Sequence, residues 1–304
     1  MKSVRIGTRG SLLALAQADW VKNRIKEKYA DLNVETIVIK TAGDRFVNLP
    51  IKSMAGKGIF VKEIEDALLR GEIDVAVHSL KDLPTEVTPG LSLAVIPERE
   101  DPRDACISAG GLPLTALNPG TRIGTGSLRR RAQILHYRRD LQVVPIRGNI
   151  DTRLRKLDSG EVDCLILAVA GLKRIGKEGR INEYLEPEIC LGAVAQGALG
   201  LETRAADAVH ATLSFLHHPA TAIEVSAERA FLRRLGGGCH LPVGARAHVR
   251  GAELCLSGII ADPDGARLIR GEITGAIHES ERFGVKLAER LLEEGAAQIL
   301  AAHC

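Results

Sequence analysis

The chain has 304 residues, of which 45% are hydrophobic and 26% are charged, and its formal net charge is only +3. This length suits about two or three domains of ordinary size and leaves ample material for hydrophobic cores. The small net charge and the scarcity of aromatic residues, with one Trp, three Tyr and five Phe, exclude a strongly basic surface and a base-stacking platform. Nucleic acid and membrane are therefore not expected as partners.

The start of the chain and its cysteines bear on the compartment. MKSVRIGTRGS lacks the apolar core of a signal peptide, and no stretch approaches the roughly 18 apolar residues of a membrane span. We therefore expect a cytoplasmic protein. The six cysteines form no CxxC pair and have no histidine at ligand spacing. We expect no metal, no disulfide framework and mostly reduced, buried thiols.

An internal repeat organises the first two thirds of the chain. Three pairs of similar segments occur in the same order: RIGTRGSLL at 5–13 with RIGTGSLRR at 122–130, VIKTAGD at 38–44 with VVPIRGN at 143–149, and GEIDVAV at 71–77 with GEVDCLI at 160–166. Each unit has the pattern strand, glycine turn, helix, strand, loop, helix, strand. The repeat predicts two related α/β domains.

Hydrophobic spacing predicts the elements of these units. Apolar residues three or four apart predict two helices in the first unit. These residues are Ala14, Ala18, Val21, Ile25 and Tyr29 in one helix and Phe60, Ile64, Ala67 and Leu68 in the other. Ile73, Val75 and Val77, and the run from Cys164 to Val169, predict strands covered on both faces. Alternating strands and helices predict mostly parallel sheets, with ligands at the carboxyl ends of the strands.

The repeats differ by an insertion from Arg45 to Gly58, which we interpret as a mobile loop over the cleft. After about residue 216, a helix from Ala220 to Leu235, alternating strands and a last helix with Leu287, Leu291 and Leu292 predict a small α+β domain with an antiparallel sheet. We therefore predict two similar, doubly wound domains like those of periplasmic binding proteins, followed by this third domain. The predicted bounds are 1–98 with 194–216, 99–193, and 217–304.

Serines and arginines follow the predicted strands of both repeats. Ser11 and Ser127 precede helical runs, where a hydroxyl caps the first turn and the helix start favours anions, although each is also explained as a plain N-cap. Arginine presents a planar fork that matches a carboxylate. The arginines in question are Arg9, Arg129, Arg130, Arg131, Arg147, Arg153 and Arg174. Any one alone suits a solvated surface, but together they predict a polyanionic small ligand, and the lack of a Walker loop or GxGxxG motif disfavours a nucleotide.

Two further segments carry candidate chemical groups. In HSLKDLP, residues 78–84, Pro84 ends a strand, which places Lys81 and Asp82 in a tight turn where the carboxylate can stabilise a cationic N–H group or pass a proton to a leaving amine. An Asx turn is the alternative, and His78 fits a core histidine better than a catalyst. GGGCHLP, residues 236–242, presents Cys239 on a glycine loop as a nucleophile or attachment point, unless it is an incidental cysteine.

Together these segments resemble one family. EREDPRDA at 98–105, GTGSLRRRAQ, RGNIDTRL, LAVAGLKR, AQGALG and AERAFLRRLGGGC occur in the order found in porphobilinogen deaminases, also called hydroxymethylbilane synthases. The resemblance runs from RIGTRGS to the final helix. It implies a transferase of tetrapyrrole (haem) biosynthesis that joins four porphobilinogen molecules head to tail, with loss of ammonia, into hydroxymethylbilane. It also implies one covalent dipyrromethane cofactor per chain, which primes the reaction.

The resemblance further implies roles for individual residues. Cys239 holds the cofactor through a thioether, and Asp82 hydrogen-bonds pyrrole nitrogens and assists each proton transfer. The implied cofactor-binding residues are Asp44, Ser79, Lys81, Thr125, Ser127, Arg129, Arg130, Arg147 and Gly148. The implied substrate-binding residues are Arg9, Ser11, Lys57, Arg147, Arg153, Arg174 and Gln196. Ser53, beside Lys52, replaces a lysine often found in the family, and His240 replaces other polar residues after the cysteine.

Two other classes of protein fit part of the sequence. A two-lobed binding module for an acidic solute explains the repeat and the arginines, but neither GGGC nor the lack of an export signal. Nucleic-acid binding through Arg129, Arg130 and Arg131 lacks interleaved aromatic residues. We expect a monomer whose partner is the small molecule porphobilinogen.

Overall fold

The computed structural model describes residues 2–41, 61–236 and 242–302. The chain divides into two compact units, residues 1–99 with 198–222 and residues 100–197 with 223–304. Each unit contains a five-stranded sheet with helices, and the second also contains a three-stranded antiparallel sheet. The predicted α/β class and the predicted antiparallel sheet near the C-terminus are confirmed.

Thirteen strands and nine α-helices form within the described ranges. The strands are β1 (Ser3–Thr8), β2 (Asn33–Val38), β3 (Val75–Ser79), β4 (Leu91–Val95), β5 (Asp104–Ser108), β6 (Arg122–Gly124), β7 (Gln142–Val144), β8 (Cys164–Ala168), β9 (Glu183–Leu185), β10 (Leu199–Arg204), β11 (Val243–Arg250), β12 (Glu253–Ala261) and β13 (Leu268–Ala276). The helices are α1 (Leu12–Lys28), α2 (Lys62–Leu69), α3 (Leu128–Tyr137), α4 (Ile150–Asp158), α5 (Val169–Arg174), α6 (Val209–Leu213), α7 (Pro219–Arg234), α8 (Ser280–Leu291) and α9 (Ala297–Ala301). None of the helices described is long and apolar enough to cross a bilayer.

The two five-stranded sheets share one topology. Their strand orders are β2-β1-β3-β10-β4 in the first unit and β7-β6-β8-β5-β9 in the second. In each, the first three strands are parallel and the fourth is antiparallel to both of its neighbours. All but one strand of each sheet therefore point the same way, as predicted. The shared order confirms the internal repeat seen in the sequence.

An ion pair is repeated along with the topology. Arg5 at the start of the first sheet binds Asp74, with 2.7 Å between Nη2 and Oδ1 and a backbone N–H donated to Oδ2 at 2.8 Å. Arg122 binds Asp163 in the second sheet, with corresponding distances of 2.7 and 2.9 Å. Both pairs join the RIGT segment of a repeat to its GEID or GEVD segment. The similarity of these segments therefore reflects a shared contact as well as a shared hydrophobic pattern.

The helices bury the faces that the sequence predicts. In α1, Ala18, Val21 and Ile25 are fully buried in the core of the first sheet, while Trp20 on the opposite face is 40% exposed. The ends of some elements differ from the prediction. Tyr29 caps α1 instead of lying within it, and Val169 begins α5 directly after β8.

The last predicted helix is interrupted. Leu287 and Leu291 are buried in α8, as expected, but Leu292 begins a π-helical segment that runs to Ala296. Gly295 in this segment has a φ of 112°, a conformation that a residue with a side chain rarely adopts. The glycine thus lets the chain leave one helix and start α9.

Gly197 in the second unit is expected to tolerate substitution poorly. Its φ is +88°, and a Cβ there would lie 2.3 Å from the carbonyl oxygen of Glu100. We predict that Gly197→Ala lowers the free energy of unfolding by about 3 kcal/mol, because backbone must move to remove the overlap. Gly176→Ala is the matched control, since Gly176 has a φ of +66° and open space around it. We expect Gly176→Ala to lower the free energy of unfolding by about 1 kcal/mol. Urea titrations of both variants measure the difference, and equal losses would contradict the prediction.

Candidate functional site

Asp82 lies on an anchored turn after β3. Leu80, Lys81 and Asp82 form a single 3₁₀ turn, in which the Leu80 N–H donates to the carbonyl oxygen of Ala198 at 3.0 Å. Leu80 and Leu83 are buried, whereas Asp82 is exposed. The two leucines fix the turn while the carboxylate stays accessible. A group that must reach a substrate needs this combination.

His78 and Ser79, the two residues at the end of β3, form hydrogen bonds with side chains of neighbouring elements. His78 is buried, and its Nε2 lies 3.1 Å from Oε2 of Glu202, which is also buried. This pairing agrees with the interpretation of His78 as a core histidine. The Ser79 hydroxyl accepts a hydrogen bond from Nε2 of Gln17 at 2.7 Å and can still donate its own proton.

Both predicted serines are N-caps. Ser11 Oγ accepts a hydrogen bond from the N–H of Ala14 at 3.3 Å, and Ser127 Oγ accepts one from the N–H of Arg130 at 3.4 Å. Thr125 is buried, and its hydroxyl accepts the N–H of Ser127 at 3.2 Å. The starts of α1 and α3 are therefore ordered by their own side chains, with the positive end of each helix dipole at the carboxyl end of a strand.

Arg129 and Arg130 are buried and share a carboxylate. Arg129 Nη1 lies 2.7 Å from Asp104 Oδ2, and Arg130 Nη2 lies 2.7 Å from Asp104 Oδ1. Arg129 Nη1 also donates to the carbonyl oxygen of Leu191 at 2.5 Å. Burial alone would raise the pKa of Asp104, but the charges of the two arginines outweigh it and hold that pKa below its ordinary value. The Asp104 carboxylate is thus ionised in the folded protein.

Two neutral side chains complete the surroundings of Asp104. Gln196 is fully buried and donates from Nε2 to Asp104 Oδ1 at 2.9 Å and to the carbonyl oxygen of Pro102 at 2.8 Å. Cys190 Sγ lies 3.3 Å from Asp104 Oδ2, and burial raises the pKa of this thiol to about 12. The thiol therefore stays protonated and donates to the carboxylate. The structure places Gln196, predicted as a substrate contact, in this cluster.

The arginines after β7 and β8 differ in exposure. Arg147 is exposed, and Arg153 in α4 donates from Nε to the carbonyl oxygen of Gly148 at 2.8 Å. Gly148 has a φ of +106°, which explains the glycine in RGN. Arg174 donates from Nη2 to the carbonyl oxygen of Gly197 at 2.6 Å, and burial lowers its pKa to about 10, so it remains charged at neutral pH.

Three predicted site residues and the insertion lie in the segments that the structure does not describe. Asp44, Lys57 and Cys239, and the whole insertion from Arg45 to Gly58, lie outside the described residues. Arg9 and Lys81 are both half-buried in the first unit. Within the described ranges, no three His, Cys, Asp or Glu side chains cluster as metal ligands would.

Asp104 is the residue that sequence reasoning missed. It lies within the EREDPRDA segment, but no role was predicted for it. The available signal was a carboxylate at the start of DACIS, a segment otherwise suited to a fully buried strand. Such an aspartate needs a cation nearby, and the two adjacent arginines after Ser127 are the partners it finds.

The four cysteines within the described residues are free, as expected. Cys106, Cys164 and Cys190 are buried and free, and Cys255 is half-buried and free. Cys106 and Cys164 lie on neighbouring strands with their Sγ atoms 3.3 Å apart. The hydrogen bond to Cys164, together with burial, raises the pKa of Cys106 far above its usual range, so the Cys106 thiol is poorly nucleophilic.

The repeated sheets, with capped helix starts and arginines after the strands, define an α/β protein of the class in which ligand sites commonly lie at the carboxyl ends of the strands. Residues 4–212 match the family model described as porphobilinogen deaminase, dipyromethane cofactor binding domain, and residues 222–293 match that of the porphobilinogen deaminase C-terminal domain. The chain belongs to the porphobilinogen deaminase family.

Curated relatives agree over almost the full length. The porphobilinogen deaminase of Pelobacter propionicus is 51% identical over 98% of this chain and 96% of its own length. That of Geobacter metallireducens is 52% identical over 99% of this chain and 94% of its own length. That of Geobacter sulfurreducens is 51% identical over 99% of this chain and 95% of its own length. The chain is therefore a transferase of tetrapyrrole biosynthesis with a dipyrromethane cofactor.

More distant likenesses exist among solved structures. The methionine binding protein MetQ has a TM-score of 0.46 at 13% identity and covers 75% of this chain and 95% of its own. The effector binding domain of BenM with benzoate has a TM-score of 0.40 at 14% identity, with 69% and 88% covered. At this level the likeness supports no statement about function.

Proposed function

We propose that this chain joins four porphobilinogen molecules head to tail, releases one ammonia at each addition, and finally releases hydroxymethylbilane by reaction with water. The observation that carries the proposal is the match to both porphobilinogen deaminase domains along the chain. The geometry of Asp82 supports it, because one accessible carboxylate on a rigid turn is what repeated proton transfer requires.

The charge of the product explains the cations. Each pyrrole unit carries two carboxylates, so the cofactor and four added units bring about a dozen negative charges. The first unit offers Arg9, Ser11 and Lys81, and the second offers Arg147, Arg153 and Arg174, together with the starts of α1 and α3. We assign these groups to the acetate and propionate side chains of the substrate and the growing product.

The described residues also fit the dipyrromethane cofactor. Its carboxylates suit Thr125, Ser127, Arg129 and Arg130, which lie together at the start of α3. Bound there, the cofactor would supply a terminal pyrrole with a free α-carbon as the nucleophile. We propose Cys239 as the residue that forms its thioether, since the cysteine follows three glycines that leave the backbone bare.

Asp82 is proposed to carry the proton chemistry. Its carboxylate accepts hydrogen bonds from pyrrole N–H groups and stabilises positive charge on the reacting ring. As a carboxylic acid it gives a proton to the leaving amine, which departs as ammonia, and it takes up another proton from the ring carbon after the new bond has formed. The residue thus returns to its starting state after each addition.

The mass of the intact protein tests the covalent cofactor. Freshly purified, reduced and unfolded chain should exceed its sequence mass by one dipyrrole unit, because the thioether survives unfolding. Cys239→Ser should show the bare mass, while Cys255→Ser, which changes a half-buried free cysteine, should keep the extra mass. A bare mass in active wild-type enzyme would rule out the covalent cofactor.

A turnover assay distinguishes the proposed enzyme from the alternative function, a binding module for acidic solutes. The proposed function requires consumption of porphobilinogen with release of ammonia under reducing conditions. Binding without ammonia release would favour the module. The cytoplasmic location, the monomeric state and the partition into three domains stay predictions from the sequence.

A further inference from the structure

The charged trio of Asp104, Arg129 and Arg130 is a costly arrangement for a protein interior. Asp104 is completely buried, and the two arginines are 4% and 6% exposed. Desolvation of buried ions largely cancels their attraction, so such a group is weak evidence for a role in stability. With two guanidinium groups and one carboxylate, the trio keeps one net positive charge.

The first repeat shows that the fold does not need a charge at the strand position. Asp104 of β5 pairs with Ala168, the last residue of β8. In the first sheet, Leu199 of β10 pairs with Ser79, the last residue of β3. Leu199 therefore occupies the position equivalent to Asp104, and it is buried as an ordinary core residue.

The first repeat also lacks charges at the two helix positions. Ser11 and Ser127 are the N-caps of equivalent helices, so the residues two and three positions after each cap correspond. Leu13 and Ala14 are therefore equivalent to Arg129 and Arg130. The first repeat thus has apolar residues, Leu13, Ala14 and Leu199 (the apolar trio), at the three positions that the charged trio occupies in the second repeat. Leu13 and Ala14 are half-buried and Leu199 is buried. Since the same topology forms in both cases, the charges serve something other than folding.

We infer that Asp104 is a positioning residue for the cofactor. It fixes both guanidinium groups at the start of α3, and it cancels one of their two charges so that a single net positive charge meets a cofactor carboxylate. Gln196 and Cys190 satisfy the remaining capacity of the Asp104 oxygens. The inference rests on the proposed function, in which Arg129 and Arg130 hold the cofactor.

The test measures how fast the cofactor is acquired. Apo-protein is incubated with porphobilinogen, and the fraction of chains carrying the dipyrrole mass is followed over time. Asp104→Asn should acquire the adduct at least about tenfold more slowly, because the charge-assisted bonds that orient both arginines are lost. Asp163→Asn removes the carboxylate of the Arg122–Asp163 ion pair in the same unit, at the opposite ends of the strands, and should load at the wild-type rate.

A second variant distinguishes a role of the charged trio in cofactor binding from a role in folding. The triple substitution Asp104→Leu, Arg129→Leu and Arg130→Ala copies the apolar trio into the second repeat. It should melt at or above the wild-type temperature and yet acquire no adduct. Loading of Asp104→Asn at the wild-type rate would overturn the inference while leaving the proposed function intact. A wild-type chain that never gains the dipyrrole mass would instead overturn the proposed function.

Discussion

Asp82→Ala is expected to lower kcat for porphobilinogen consumption by about a thousandfold or more, which corresponds to about 4 kcal/mol of lost transition-state stabilisation. The reason is that one carboxylate is used in every addition, both to stabilise positive charge and to move the proton. Asp82→Asn should show a loss of similar size, because an amide keeps the shape of the side chain but neither carries the charge nor transfers the proton.

The same variant should still carry the covalent dipyrrole or reaction intermediates. Single-turnover measurements with mass detection therefore distinguish slow chemistry from failed assembly. Glu86→Gln is a suitable control, because Glu86 is an exposed carboxylate four residues further along the same segment. Near-normal turnover of Asp82→Ala, with the control also normal, would contradict the role of Asp82.

The second large effect concerns stability. Asp104→Leu is expected to lower the free energy of unfolding by about 3–5 kcal/mol, because it leaves two buried guanidinium groups without their counter-charge. The triple variant that copies the apolar trio should be at least as stable as wild type, since it removes the unpaired charges as well. Chemical denaturation of both variants measures the contrast, and equal losses would contradict this explanation.

The dependence of stability on pH should also reveal the contribution of the Asp104 carboxylate. The pKa of Asp104 is below its ordinary value of about 3.9 in the folded protein, so the unfolded chain takes up the proton first as the pH falls. The resulting stabilisation is complete above the unfolded pKa and is lost as the pH falls through the folded pKa. Between about pH 5 and pH 2, wild type should therefore lose more stability than the triple variant. Parallel losses in the two proteins would contradict the assignment.

The sequence by itself determined much of this protein. The repeat, the helices with one buried face and the strands covered on both sides follow from spacing along short segments, and these patterns are local. The N-caps at Ser11 and Ser127 and the turn that presents Asp82 were predictable for the same reason, since the residues that form them are neighbours in the chain. The order of the motifs also indicated the family that the comparisons confirm.

Only the tertiary structure decided how distant segments meet. Local spacing does not reveal that β5 pairs antiparallel with β8, or that β10 pairs antiparallel with β3. Strand pairing depends on residues that are far apart in the sequence. That pairing brings Asp104 to the start of α3, where Arg129 and Arg130, which the sequence predicted as contacts of an anionic ligand, are buried partners of a carboxylate. A buried charge requires a counter-charge, but the sequence alone does not say which one it will meet.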